Sequence, residues 1–345
     1  MSYQIYQTDK AGLAQFYENI IGKNETYAPV LNFEKYEYKK VSKLADCNPE
    51  SPIVLTMSMK PLFFPKNSAI LKYKESSEGT EIIPDAEDDL AKKRVVLGVK
   101  HCDARALQVL DKVYQWDYHD EDYRKRRENT LIISTRCEKA GAHCFCTSLD
   151  YDVENSDAYD VMVVKAADGN YYLQAHTDKG DAFLKENTGK LAANDGIEKI
   201  KEQYTAFAAS FALKMNYEEV SKRLNEQFDS SEFENATSNC ISCNTCSFIC
   251  PTCHCFKISD EKIKDKGIRY KAYDSCNSPY FTLMAGGHNP RPVKYRRWRQ
   301  RAMHKFVYYK ERFDVNLCVG CGKCAISCPV NIHIFDVVNQ VANKA

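Results

Sequence analysis

Two copies of one cysteine pattern stand in the second half of the chain. The first is Cys240-x2-Cys243-x2-Cys246-x3-Cys250-Pro251 and the second Cys318-x2-Cys321-x2-Cys324-x3-Cys328-Pro329. The spacing has a physical cause. Three thiolates three residues apart on one tight loop wrap three corners of a cubane [4Fe–4S] cluster, while the fourth, followed by proline, has left the loop and points to the other cluster. The expected ligand sets are therefore Cys240, Cys243 and Cys246 with Cys328, and Cys318, Cys321 and Cys324 with Cys250. Gly320 and Gly322 suit the second loop, because without a Cβ they let backbone N–H groups approach the cluster sulfides. The first loop carries Ser242 and Asn244 at those places. A pair of zinc sites fits less well, since zinc motifs come as separated cysteine pairs.

The remaining thiols form two further groups and one singleton. Cys102 follows the β-rich run RVVLGV, and Cys137 follows TLIIST. If these runs are parallel neighbours, both thiols sit at carboxyl ends of strands, where open α/β sheets place ligands. Cys144 and Cys146 can fold back over the same spot, which makes four thiols and a third cubane. The alternative is four reduced structural thiols, since free cysteine is commonly buried. Cys253, Cys255 and Cys276 lie near the repeated motif and fall one thiol short of a fourth cluster. The missing ligand could come from His254, His288 or a partner chain, or one of the three could replace a ligand assigned above. Cys47 stands alone and reads as structural. His101 and His143 flank the third group, and His304 and Lys305 are candidate donors to cluster sulfurs.

Other chemistry lacks its signature. No GxGxxG follows a strand, and no GxxxxGK[ST], HExxH or GxSxG occurs. The chain is therefore expected to hold no flavin or nicotinamide and to have no catalytic residues of its own. Several clusters without a substrate motif read as a conductor of single electrons. A hydride carries two electrons, so a separate flavoprotein is expected to split the pair. The basic, aromatic run 294–312 could grip nucleic acid. A net charge of +1 favours instead a helix lying beside anionic clusters.

These residues need elements to position them. The chain has 345 residues, 44% hydrophobic and 28% charged, which is ordinary globular composition and suggests about two domains. The 16 cysteines are the abnormal number. Disulfides suit short secreted chains, and here no apolar run approaches the ~18 residues that span a bilayer and no signal peptide opens the sequence. A cytoplasmic location is expected, with no membrane contact, so the sequons at Asn24 and Asn235 are chance matches.

Strands are predicted at 52–58, 94–99, 130–135, 160–165 and 171–175. A helix capped by Asp103, with Leu107, Leu110 and Tyr114 at helical spacing, is predicted between the second and third. Residues 77–90 read as a loop, and 196–228 as one or two helices. The polar stretch DSSEFENATSN marks a boundary near 230–238. The fold class is α+β. Residues 1–200 form an N-terminal α/β domain with a partly parallel sheet and the third cluster site, 201–238 a helical linker, and 239–345 a mainly helical ferredoxin-like domain.

The repeated motif is the run of bacterial ferredoxins. The wide, helix-rich gap between its copies resembles the α-helical ferredoxin fold of heterodisulfide reductase and fumarate reductase iron–sulfur subunits. The segments GVKHCDARALQVLDKVY, RRENTLIISTRC, CFCTS, CISCNTCSFICPTCHCF, DSC, MAGGH, RAMHK and CVGCGKCAISCP occur in order. From about residue 60 to 335 they resemble the anaerobic sulfite reductase family of iron–sulfur subunits, which includes the beta subunits of sulfhydrogenase-type nickel–iron hydrogenases. KPLFFP at 60–65 looks more like the hydrogenase branch. Asn244 stands where that family usually has glycine, and Asn289-Pro290 departs from its pattern after GGH.

The resemblance implies a non-catalytic electron-transfer subunit of an anaerobic hetero-oligomeric oxidoreductase. It would sit between an FAD- and NAD(P)-binding flavoprotein and a catalytic subunit that reduces sulfite, protons or sulfur. Two [4Fe–4S] clusters are the minimum, with a third and a fourth drawn from the other cysteines. A metal-binding module for sensing or scaffolding, touching nucleic acid through 294–312, is the alternative.

Overall fold

The structure is a computed structural model that describes residues 3–33, 35–51, 56–83, 89–149, 156–187, 189 and 191–344. Its centre is a pair of parallel strands, β6 (Arg94–Val99) and β7 (Thr130–Thr135), in which every residue is buried. Parallel strands covered on both faces need continuous apolar runs, and RVVLGV and TLIIST supply them.

Around this pair an eight-stranded mixed sheet is built. It adds β1 (Ile5–Thr8), β2 (Glu25–Asn32), β3 (Lys35–Val41), β8 (Val161–Lys165), β9 (Tyr171–Ala175) and β10 (Ala192–Asn194), in the order β10-β1-β9-β8-β7-β6-β2-β3. The contacts β2–β6, β6–β7 and β7–β8 are parallel and the rest antiparallel. One face packs on the helix Lys10–Lys23 through Leu13, Phe16, Tyr17 and Ile20. The other packs on the helix His101–Tyr114 through Leu107, Leu110 and Tyr114.

A second sheet joins distant parts of the chain. The hairpin β4 (Asn67–Ser76) and β5 (Gly79–Ile83) pairs with the hairpin β11 (Phe256–Ile263) and β12 (Lys266–Tyr273), in the order β11-β12-β4-β5, antiparallel throughout. Tyr273 stacks on Phe64 with ring centroids 4.7 Å apart, and Lys271 reaches Asp120 at 2.7 Å, which seats this sheet on the first body.

The rest of the C-terminal region is helical. Its helices are Tyr217–Glu226, Lys294–Met303, Tyr309–Phe313 and Ile334–Ala342; the first, second and fourth share a core of Leu224, Trp298, Val337 and Val341 with Phe233 and Phe306, while Tyr309 packs with Val109 and Leu317. A π-helical turn, His304–Tyr308, links the second to the third. The α+β class and the partly parallel sheet are as expected.

Local expectations differ in several places. Asp103 is not a cap: the helix begins at His101 with Lys100 before it, and Asp103 is buried in the first turn. Residues 79–83, read as loop, form β5, because pairing with β4 overrides their polarity. The boundary at 230–238 contains the short helix Glu232–Ala236. The hairpin 256–273 was not visible in the sequence because β11 is exposed along almost its whole length and lacks a buried alternating face. Residues 52–55 of the strand predicted at 52–58 lie outside the described residues, and 56–58 are not in a strand.

Candidate metal centres

The two cysteine loops share one backbone. Ser242 and Asn244 flank Cys243 with φ of 56° and 64°, and Gly320 and Gly322 flank Cys321 with φ of 62° and 70°. Left-handed residues between right-handed ones turn successive N–H groups inward, which makes a concavity suited to an anion such as an iron–sulfur core. The third cysteine of each loop then lies in a short helix, Thr245–Phe248 or Lys323–Ile326.

Cys250, Cys318, Cys321 and Cys324 line one cavity, closed by Phe145, Ile334, Arg301 and Lys305. Burial pushes the Cys318 thiol up to about 12 and the Cys321 thiol well above its usual range. Metal ligation is what deprotonates such thiols outright. Cys240, Cys246 and Cys328 pack against one core cluster, and Cys243 is exposed. Donors aim at these sulfurs: Trp298 Nε1 at Cys240 Sγ (3.1 Å), the Ile332 N–H at Cys328 Sγ (3.2 Å) and Asn277 Nδ2 at Cys246 Sγ (3.5 Å). Hydrogen bonds to sulfur favour the more negative state of a cluster and tune its potential. The donor sets fit [4Fe–4S] chemistry.

Cys102, Cys137, Cys144 and Cys146 are all buried at 3–6% exposure. Cys102 lies in the first turn after β6 and Cys137 just past β7, so both are at carboxyl ends of parallel neighbours. Cys137, Cys144 and Cys146 pack with Phe207 and Phe211. His101 Nε2 lies 3.2 Å from Cys146 Sγ. Burial holds this imidazole down to about 3, so it is neutral there. Lys100, Lys323 and Arg136 pull the Cys137 thiol down against the larger upward push of burial.

This loop docks directly on the second cysteine loop. The Phe145 N–H donates to the Gly320 carbonyl at 2.9 Å. A Cβ on Gly320 would come within 2.6 Å of Cys146 backbone, and one on Gly322 within 2.7 Å of the His143 carbonyl. Beneath the contact Lys323 Nζ pairs with Asp103 at 3.1 Å, both side chains wholly buried.

Cys253, Cys255 and Cys276 line a second cavity with His254, His304, Arg301 and Lys305. His288 is exposed and is not among its lining residues. Cys47 is half-buried beside the helix Lys10–Lys23 cluster. Among the described residues no three His, Cys, Asp or Glu side chains close on one point as a mononuclear ion requires. The thiols ring cavities instead.

Sequence reasoning missed several buried cations near the cysteines, Lys100 and Arg136 at Cys137 among them. Lys60, Lys323, Arg297 and Arg301 are all buried, and Arg297 and Arg301 belong to the basic run 294–312. Lys305, expected as a sulfur donor, donates a hydrogen bond to Thr252 Oγ1 at 3.0 Å. Of that run Arg297, Trp298, Arg301 and Lys305 are buried, and Trp298 and Arg301 contact cysteine sulfurs. The available signal was helical spacing: Arg297, Arg301 and Lys305 recur every fourth residue. Lys60 sits in KPLFFP, far away in sequence, and carried no such signal.

Among the described residues no helix is long and apolar enough to cross a membrane. Residues 239–332 match the 4Fe-4S dicluster domain family. Sulfhydrogenase 2 subunit beta of Pyrococcus furiosus is 29% identical over 333 residues, which is 95% of each chain. The chain is thus similar over almost its whole length to a sulfhydrogenase beta subunit, and the part that carries both cysteine loops matches the 4Fe-4S dicluster domain family.

Proposed function

We propose that this chain is the iron–sulfur electron-transfer subunit of a multi-subunit cytoplasmic oxidoreductase, placed between a flavoprotein and a catalytic subunit of hydrogenase or sulfur-reducing type. The observation that carries this reading is continuity. Cysteine sets adjoin one another from exposed Cys243, through the shared core of Cys246, Cys318 and Cys324, to Cys144, whose sulfur lies 3.8 Å from the Cys321 carbonyl. Clusters held there supply one-electron chemistry. Two come from the loop motifs, and Cys102, Cys137, Cys144 and Cys146 hold a third.

The polypeptide does the rest. Phe145, Ile334, Phe207 and Phe211 exclude water around the inner sets. The indole of Trp298, the amide of Asn277 and the Ile332 N–H hold charge at the outer sulfurs. Buried Arg301, Lys305 and Lys323 offset the negative charge that thiolates bring into the interior.

The test is electron transfer through the assembled complex. Cys321→Ser is expected to remove about four irons per chain and abolish transfer between flavin and catalytic subunits, while each partner keeps its own half-reaction. Undiminished transfer, or zinc in place of iron in anaerobically purified protein, sinks the reading.

A further inference from the structure

Buried Arg301 and Lys305 line the cavity of Cys253, Cys255 and Cys276, and buried Lys60 reaches the backbone of Cys253 beside it. Arg301, Lys305 and Lys60 are 1%, 2% and 3% exposed. Arg301 Nη1 donates to Cys253 Sγ at 3.1 Å, and Lys60 Nζ to the Cys253 carbonyl at 2.8 Å. Among the described residues none of the three pairs with a carboxylate. Their partners are Cys253 Sγ and the Cys246 carbonyl for Arg301, Thr252 Oγ1 for Lys305 and the Cys253 carbonyl for Lys60. Unpaired charge in an apolar interior is very costly, so this arrangement demands anions in the cavity wall. Neutral thiols cannot supply them. Cys250 lines the second-loop cavity, whereas Cys253, the thiol that Arg301 touches, lines only this one.

The three thiols ring a cavity rather than a point, a lining suited to a multinuclear centre. They are one ligand short. His254 lies between two of them in the chain and lines the cavity. Its Nδ1 is 3.0 Å from the Thr252 carbonyl. A carbonyl only accepts, so Nδ1 carries the proton and Nε2 keeps its lone pair, the orientation usual for metal-bound histidine. The neighbouring His304, 5.5 Å away ring to ring, has no such orienting bond among the described contacts.

We propose that Cys253, Cys255, Cys276 and the Nε2 of His254 hold a further iron–sulfur cluster, distinct from those of the two loops and of the Cys102 set. This rests on the reading of the chain as an iron–sulfur protein. Three thiolates and one neutral imidazole give a cubane with net negative charge, which answers Arg301, Lys305 and Lys60.

The experiment counts iron and acid-labile sulfide in the anaerobically purified full chain and records EPR spectra through a redox titration. Cys255→Ser is expected to lose about four irons per chain and one set of signals, leaving the others intact. Iron and spectra unchanged in Cys255→Ser, with loss in Cys321→Ser, overturn this cluster and leave the proposed function standing. No iron in the unaltered chain overturns both. Because Cys255→Ser could fail to fold, His254→Cys is the second variant. It is expected to keep the iron count and lower the midpoint potential of one centre only, since an anionic ligand replaces a neutral one. A His254→Cys titration identical to that of the unaltered chain overturns the histidine ligand.

Discussion

The loops 240–246 and 318–324 trace the same backbone with different residues. Both place left-handed residues on either side of the middle cysteine, yet the first uses Ser242 and Asn244 and the second Gly320 and Gly322. The difference lies in what covers them. The second loop is covered by residues 143–146, so close that any Cβ would strike backbone at 2.6–2.7 Å. The first loop faces outward, with Ile241 62% exposed, and its side chains have room and partners, such as Ser275 Oγ on Asn244 Oδ1 at 3.1 Å. Glycine in the second loop is therefore required by the neighbouring loop as well as by the turn. A serine or asparagine can hold the same turn where nothing presses on it.

The largest effect expected from breaking this comparison is under the covered loop. Lys323→Met leaves Asp103 buried without its cation, and should destabilise the chain by about 3–5 kcal/mol in anaerobic denaturant unfolding. Adding Asp103→Asn should recover most of that loss. An unchanged midpoint in the single variant would show that the pair is not the anchor of the contact.

Next is the glycine itself. Gly320→Ala should cost about 2–3 kcal/mol from strain and clash together, while Ser242→Ala at the matching place should cost under ~1 kcal/mol. Equal effects would place the requirement in the turn alone. A kinetic contrast follows from exposure: on controlled admission of air, the centre beside exposed Cys243 should lose its EPR signal before the one beside buried Cys321.

The smallest effect concerns one hydrogen bond. Trp298→Phe removes the indole N–H from Cys240 Sγ and should lower the potential of the outer centre by roughly 40 mV, taking ~1 kcal/mol for the bond and a one-electron couple. The centre at the covered loop should not shift.

Much of this was legible in the chain. Cys240–Cys250 and Cys318–Cys328 were readable because their spacing is local, and β6 and β7 because strands buried on both faces leave unbroken apolar runs. That Cys102 and Cys137 share one end of the sheet followed from strand–helix–strand order. Long-range contacts were hidden. Nothing near Lys60 announces Cys253, nothing near Gly320 announces Cys146, and Asp103 looked like a cap because its partner Lys323 is remote in sequence. The hairpin 256–273 is held by β4 rather than by a buried face of its own, so its own residues could not reveal it.

That hairpin decides how the protein must be made and handled. Asn67–Ser76 lies against Lys266–Tyr273, so the iron-bearing half borrows a strand from the half synthesised before it. A truncation beginning at residue 239 would uncover a row of backbone donors and acceptors along β12, a template for sticking to other chains. On the ribosome the waiting β4–β5 ribbon must stay open until the last third of the polypeptide emerges.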